Sequence, residues 1–304
     1  MRMMRIGIGA AGVALLAACG GGGDASRANV VSVPSAGLQQ PESVLHDSVA
    51  DVYLVSNLDG MPLEKDNNGF LSRVSPDGRM LQPRWIVGGQ NGVTLHAPKG
   101  SGIRGDTLYV ADIDVVRRFH RTTGAPLGEI PLPGSTFLND LAVGADGSVY
   151  VTDTGLRMGA GRLQASGTDA VYRIPPGGPP RALVRGPELG SPNGIVVDAD
   201  GGVTVAAMTA SEVYRVAPDG TRTPLMSPRR GQLDGMVRTR GGALLVSDWK
   251  RSAAYLVRAD AEPVMAVRNL PSPADIGYDA KRDRLLVPLM TVNRVEFHPA
   301  PKAP

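Results

Sequence analysis

Cys19 is the single cysteine among 304 residues, so no intramolecular disulfide is possible. One-sided charge is also missing. Lys and Arg number 32 against 29 Asp and Glu, a net +3, and removing Arg2 and Arg5 with a cleaved leader takes +3 to +1. No basic run occurs, which excludes the electrostatic footprint of a nucleic-acid binder. No segment keeps a 3.6-residue apolar period over three turns, and this removes helical folds. The longest apolar stretch, residues 6–18, is too short and too rich in Gly and Ala to span a bilayer stably. Turn formers, by contrast, are plentiful. Gly 39 and Pro 25 suit many short strands joined by tight turns.

The amino-terminal segment has the layout of a secretory leader, with Arg2 and Arg5 ahead of the apolar stretch. It ends in Leu16-Ala17-Ala18-Cys19, which resembles the bacterial lipoprotein cleavage box. The expected organisation is a lipoprotein signal peptide over 1–18, a Gly-rich tether over 19–29 and a single domain over 30–304. A lipid on Cys19 would hold the chain to a membrane, each buried methylene contributing about 0.8 kcal/mol. Gly20 follows the cysteine, and by resemblance to Gram-negative lipoproteins this places the protein on the outer membrane, facing the periplasm. The glycines of Gly7-Ile8-Gly9-Ala10-Ala11-Gly12 match a dinucleotide-binding pattern, but they lie inside the leader with no strand before them.

The remainder is one pattern used six times. Six segments superpose without gaps: Pro41-Glu42-Ser43-Val44, Pro98-Lys99-Gly100-Ser101, Leu138-Asn139-Asp140-Leu141, Pro192-Asn193-Gly194-Ile195, Leu233-Asp234-Gly235-Met236 and Pro273-Ala274-Asp275-Ile276. Nine or ten residues after the second position of each, a further apolar strand begins, at Val52, Leu108, Val149, Val203, Ala243 and Arg284. A third strand is expected over 69–74, 115–120, 170–174, 212–216, 253–257 and 293–297. Positions 42, 99, 139, 193, 234 and 274 are separated by 57, 40, 54, 41 and 40 residues. That is the scale of a four-stranded propeller blade. The prediction is an all-β, six-bladed β-propeller, with residues 30–33 pairing with the last blade to close the ring. A pair of β-sandwiches is the other architecture considered, and it leaves the six equivalent positions unexplained.

The first strand of a propeller blade lines the central channel, so the repeated second position would form a ring at one mouth: Glu42, Lys99, Asn139, Asn193, Asp234 and Ala274. Two carboxylates and two carboxamides facing one axis suit a hard divalent cation. Unneutralised, the two anions would repel and be driven to protonate. The absence of thiolate and imidazole points away from zinc and copper. Ca²⁺ fits best, because Mg²⁺ demands stricter octahedral geometry. Asn-Gly and Asp-Gly are also ordinary turn pairs, and it is their recurrence in one register that argues for a site.

These residues carry a resemblance. The mature chain is similar to the senescence-marker protein/gluconolactonase family, the regucalcin-like six-bladed propellers. The resemblance implies one divalent metal at the channel mouth and hydrolysis of lactones, with calcium or zinc as the ion. It implies Glu42, Asn193 and Asp234 as metal ligands and Asn139-Asp140 as the pair near the substrate, Asn139 also touching the metal in related lactonases and phosphotriesterases. Two departures stand out: Lys99 occupies the blade-two ring position, and the family's sugar-binding arginine has no clear counterpart.

The expected activity is therefore metal-dependent hydrolysis of a lactone or ester, a small-molecule substrate, with Ca²⁺, Zn²⁺ or Mg²⁺ as the cofactor. Asp140 is the candidate general base, Asp275 at the same offset in blade six is a second candidate, and Asp234 is an alternative nucleophile. Asn139, Lys99 and His96 are candidate substrate contacts. The competing class is a lipid-anchored binding module for a small ligand or an envelope protein, since propellers serve many functions. Nothing in the sequence signals oligomerisation. The insertion over 153–168 is read as a lid, residues 66–69 as a loop over the mouth, and Arg104-Gly105-Asp106 as a turn.

Overall fold

The computed structural model describes residues 30–226, 231–258 and 261–301. The leader, Cys19 and the tether expected over 19–29 lie outside the described residues.

Six four-stranded antiparallel sheets are arranged as a β-propeller. Blade one runs outward from Pro41–Asp47 through Val52–Asn57 and Phe70–Val74 to Met80–Val87. Blades two to five repeat this order from inner strands Pro98–Arg104, Leu138–Val143, Pro192–Val197 and Leu233–Arg238. Blade six is built from Gly277–Asp279, Arg284–Leu289 and Arg294–Pro299, and its fourth strand is Val31–Val33 from the other end of the chain. Val31 pairs with Phe297 and Val33 with Val295, so the ring is closed by backbone hydrogen bonds as the sequence predicts.

Burial falls steeply from axis to rim, and this explains the sequence texture. Second strands such as Val149–Asp153 and Val203–Ala207 are buried on both faces and are mostly apolar. The outermost strand Pro126–Pro131 is almost wholly exposed and carries no apolar run. The core is six wedges, one between each pair of neighbouring blades. Tyr109 and Val116 of blade two pack with Leu141 and Val149 of blade three, and the closing wedge joins Val33, Phe297 and Leu286 to Tyr53 and Val44. At that seam the Tyr53 hydroxyl donates to Asp279 at 2.6 Å, and both ring nitrogens of His46 face carboxylate oxygens, of Asp51 and Asp279, at 3.3 Å.

One irregularity positions the site. In blades two to five the inner-strand register jumps just after its first residue. Leu138 pairs with Asp153 and Leu141 with Val151, so Asn139 and Asp140 together face the single residue Thr152. The same jump follows Pro98, Pro192 and Leu233, and a shift of the same kind follows Pro41. Such a bulge bends the strand and re-aims its side chains. Here it falls on the six-fold repeated segments. Blade six differs: the mouth end of its inner segment leans on blade one, Asp275 N–H donating to the Glu42 carbonyl at 2.8 Å.

The insertion of blade three is a hairpin, Leu156–Gly159 with Arg162–Ala165, turning through Ala160 and Gly161 at positive φ. It follows the second strand and therefore stands on the mouth side. Gly105 and Asp106 form a two-residue hairpin turn, as expected of that tripeptide.

Candidate metal centre

The loops entering the inner strands are fixed before the ring begins. Asp112, at the end of the second strand of blade two, accepts from Ala97 N–H at 2.8 Å and His96 N–H at 3.1 Å, and pairs with Arg117. Asp153 does the same for Phe137 and Thr136, and Asp248 for Gln232. The Asn57 side-chain oxygen receives Gln39 N–H. Blade four ends this strand in Ala207, and Asp169 supplies the acceptor instead, for Ser191 N–H. Sequence reasoning missed this clamp, although Asn57, Asp112, Asp153 and Asp248 recur at one strand end and could have disclosed it.

The ring follows the clamp along the chain. Glu42, Asn139 and Asn193 are buried and Asp234 is half-buried. Each of the four holds one buried side-chain oxygen with no hydrogen-bond partner: Glu42 Oε2, Asn139 Oδ1, Asn193 Oδ1 and Asp234 Oδ1. Among the described residues eleven buried side-chain atoms lack a partner, and these four are the ones at equivalent ring positions; leaving a buried polar atom unpaired costs about 1–3 kcal/mol. Four such oxygens stand at equivalent places on four blades. All are oxygens, two anionic and two neutral, with no sulfur or imidazole among them, as a hard cation prefers. Among the described residues no group of three or more His, Cys, Asp or Glu is placed to hold an ion, and this ring is not of that kind because half its donors are amides.

Electrostatics agree. Burial, then the nearby charges of Asp234 and Asp275, push Glu42 well above the usual carboxylate range. Burial and Asp275 push Asp234 up to about 8, opposed by a hydrogen bond from the Asn193 amide. Glu42 also feels Asp140 and Lys99, so these groups share one axial space.

Lys99 is almost wholly buried. Its ammonium donates to the Pro62 carbonyl at 3.0 Å and the Ala97 carbonyl at 2.9 Å, and lies 4.8 Å from the Phe137 ring centroid. Burial draws it down to about 8 while Glu42 and Asp112 act the other way. It ties the loop over 58–69 to the mouth and offsets part of the ring's negative charge, with two of its three protons given to the backbone. His96 is half-buried, and its Nδ1 accepts from Asn67 N–H at 3.0 Å. Lys99 and His96, two of the three expected substrate contacts, thus both brace the blade-one loop.

A second tier lies one residue further along the strands: Ser43, Gly100, Asp140, Gly194, Gly235 and Asp275. The Asp140 oxygens receive Leu141 N–H at 2.7 Å and Ile195 N–H at 2.9 Å, and Asp275 accepts from the Ser43 hydroxyl at 2.6 Å. Burial raises both acids, Asp275 to about 7. A Cβ on Gly100 would strike Asp140, one on Gly194 the backbone at Asp234 and Gly235, and one on Gly235 Asp275. Below this tier a channel of about 390 Å³, walled by Leu141, Ile195 and Met236, leads to His46, Arg238 and Tyr278 at the far face.

No protein-family model matches the chain, and no curated protein matches it. Solved structures do. The chain is similar to regucalcin from Agrobacterium tumefaciens, described as a calcium-binding protein, at 16% identity and TM-score 0.64, covering 90% of this chain and 96% of that one. It is similar to a gluconolactonase from Xanthomonas campestris at 18% identity and TM-score 0.59, covering 86% and 95%. It is also similar to virginiamycin B lyase from Staphylococcus aureus at 14% identity and TM-score 0.59, covering 88% and 98%. These likenesses establish the propeller fold. They span a hydrolase and a lyase, so the reaction must be argued from the ring.

Proposed function

We propose that the protein is a metal-dependent hydrolase of a lactone or ester, with a divalent cation, Ca²⁺ before Mg²⁺ or Zn²⁺, held by Glu42, Asn139, Asn193 and Asp234. The observation that carries this reading is the set of four unpartnered buried oxygens at one level of four blades. The ion, when bound, supplies Lewis acidity toward a carbonyl oxygen. The chain's own residues divide the remaining work. Glu42, Asn139 and Asn193 are buried and hold position. Asp234 is the most exposed of the four residues, and to it we assign the proton of the attacking water. Asp140, the general base expected from the sequence, has both oxygens engaged by backbone amides and lines the channel beneath. It orients the strand that carries Asn139. Similarity to a gluconolactonase and to a calcium-binding regucalcin supports the choice of chemistry and of ion.

The test is a lactone and ester panel assayed on chelator-stripped protein with Ca²⁺, Mg²⁺ or Zn²⁺ restored singly. Activity is expected only with metal, and it is expected to vanish in Asp234→Asn and Glu42→Gln. Hydrolysis that survives stripping and both substitutions would defeat the proposal. For placement in the cell, we propose a lipid on Cys19 and attachment to the outer membrane. Cys19→Ala is expected to move the protein from the detergent phase to the aqueous phase.

A further inference from the structure

Thr154 follows the second strand of blade three and is fully buried. The equivalent place in the other five blades holds Leu58, Ile113, Met208, Trp249 and Met290, all large and apolar. A hydrophobic residue is therefore what the architecture ordinarily puts there. In blade three a hydroxyl replaces it, and that hydroxyl is committed at both ends. Thr154 Oγ1 accepts from Asn139 Nδ2 at 2.9 Å and donates to the Pro192 carbonyl at 2.8 Å. The second bond fixes the direction of the first, because a hydroxyl whose proton is given to Pro192 presents only lone pairs to Asn139. An amide is nearly symmetric in shape and opposite in polarity at its two ends. Holding Nδ2 against Thr154 turns Oδ1 toward the ring, where it is unpartnered.

We infer that Thr154 is a positioning residue for cation binding: it selects which face of the Asn139 amide the ring presents, and it anchors the carbonyl just before Asn193. The inference rests on the reading that the ring holds a divalent cation. Without the acceptor, the amide is free to turn its two N–H donors toward the ion, and one of four protein oxygens is lost. Groups that orient metal ligands typically cost 10–100-fold in affinity when removed, so a Ca²⁺ affinity loss of about that size is expected for Thr154→Val. Thr154→Ser keeps the hydroxyl and is expected to bind as the wild type does.

The decisive measurement is a double-mutant cycle read by calorimetric Ca²⁺ titration. Asn139→Asp replaces the amide by a carboxylate, which has an oxygen on both sides and no wrong face. In that background Thr154→Val is expected to cost little further affinity. An equal loss in both backgrounds would mean that Thr154 only stitches blades three and four, and would overturn the inference. So would unchanged affinity in Thr154→Val alone. Should the valine variant not fold, Thr154→Ala carries the same cycle. Wild-type protein that takes up no Ca²⁺, Mg²⁺ or Zn²⁺ would instead overturn the function proposed for the ring, and this inference with it. That failure is distinct, because it is seen before any substitution is made.

Discussion

Asn139 and Asp140 are neighbours in the chain and opposites in state. Asn139 belongs to the upper tier, where four side-chain oxygens are buried without partners. Asp140 belongs to the lower tier, where Leu141 and Ile195 satisfy both carboxylate oxygens and Ser43 bonds Asp275. The bulge that sets both residues opposite Thr152 is what separates the tiers. The difference teaches how to assign roles in a cluster of buried acids. Groups already bonded to the protein are architecture, and open oxygens that recur at one register are the ones to test for a ligand.

The sharpest way to break this contrast is to neutralise the upper tier. Glu42→Gln and Asp234→Asn are expected to abolish cation binding and turnover, yet to raise the melting temperature of the metal-free protein near neutral pH, because each removes a buried acid that the native state must keep protonated at a cost. Differential scanning calorimetry in chelator checks this, and a lowered melting temperature in both variants would contradict it. The next largest effect is on pH dependence. Acids held above their unfolded value near 4 keep protons in the native state that the unfolded chain has lost. Metal-free stability should therefore fall as pH rises from about 4 toward 8, where Asp234 titrates, with Asp275 titrating near 7 on the way. Lys99, drawn down to about 8, acts in the other direction between there and its unfolded value. Saturating Ca²⁺ should flatten the falling limb, as seen in melting temperatures across the range.

Lower-tier changes should behave as structural ones. Gly235→Ala places a methyl against the Asp275 backbone and is expected to cost about 1–3 kcal/mol in denaturant midpoint analysis. Asp140→Ala strips two amide N–H groups of their acceptor, and channel water replaces part of the loss, so about 1 kcal/mol is expected. Its cation affinity should fall far less than in Asp234→Asn. The smallest effect serves as a control. Lys65 and Asp114 form a 2.6 Å pair on the exposed loop side, and Lys65→Ala should change stability by no more than about 0.5 kcal/mol.

Much of this was readable in the chain. Repetition gave the six blades, the closing strand and the third-strand segments, two of them set back by one residue at Phe70 and Arg294, because apolar strands and Asp-Gly turns are local signals. The ring positions were readable for the same reason. What was not readable depends on contacts distant in sequence. Lys99 is committed by Pro62, His96 by Asn67, and Asn139 by Thr154. No local pattern says which of two adjacent polar residues will be satisfied by a neighbouring blade, as Asp140 is by Ile195.

The glycines of the lower tier have one more consequence. Each is a notch cut for a particular successor: Gly100 for Asp140, Gly194 for the backbone at Asp234 and Gly235, and Gly235 for Asp275, and Gly277, beyond this tier, is one for Val44 across the seam. The six units look alike in trace but are not interchangeable parts. Exchanging or duplicating one would set a methyl where a notch is needed and an acid opposite empty space. Moving the chain ends to another rim loop, by contrast, would leave every such fit untouched.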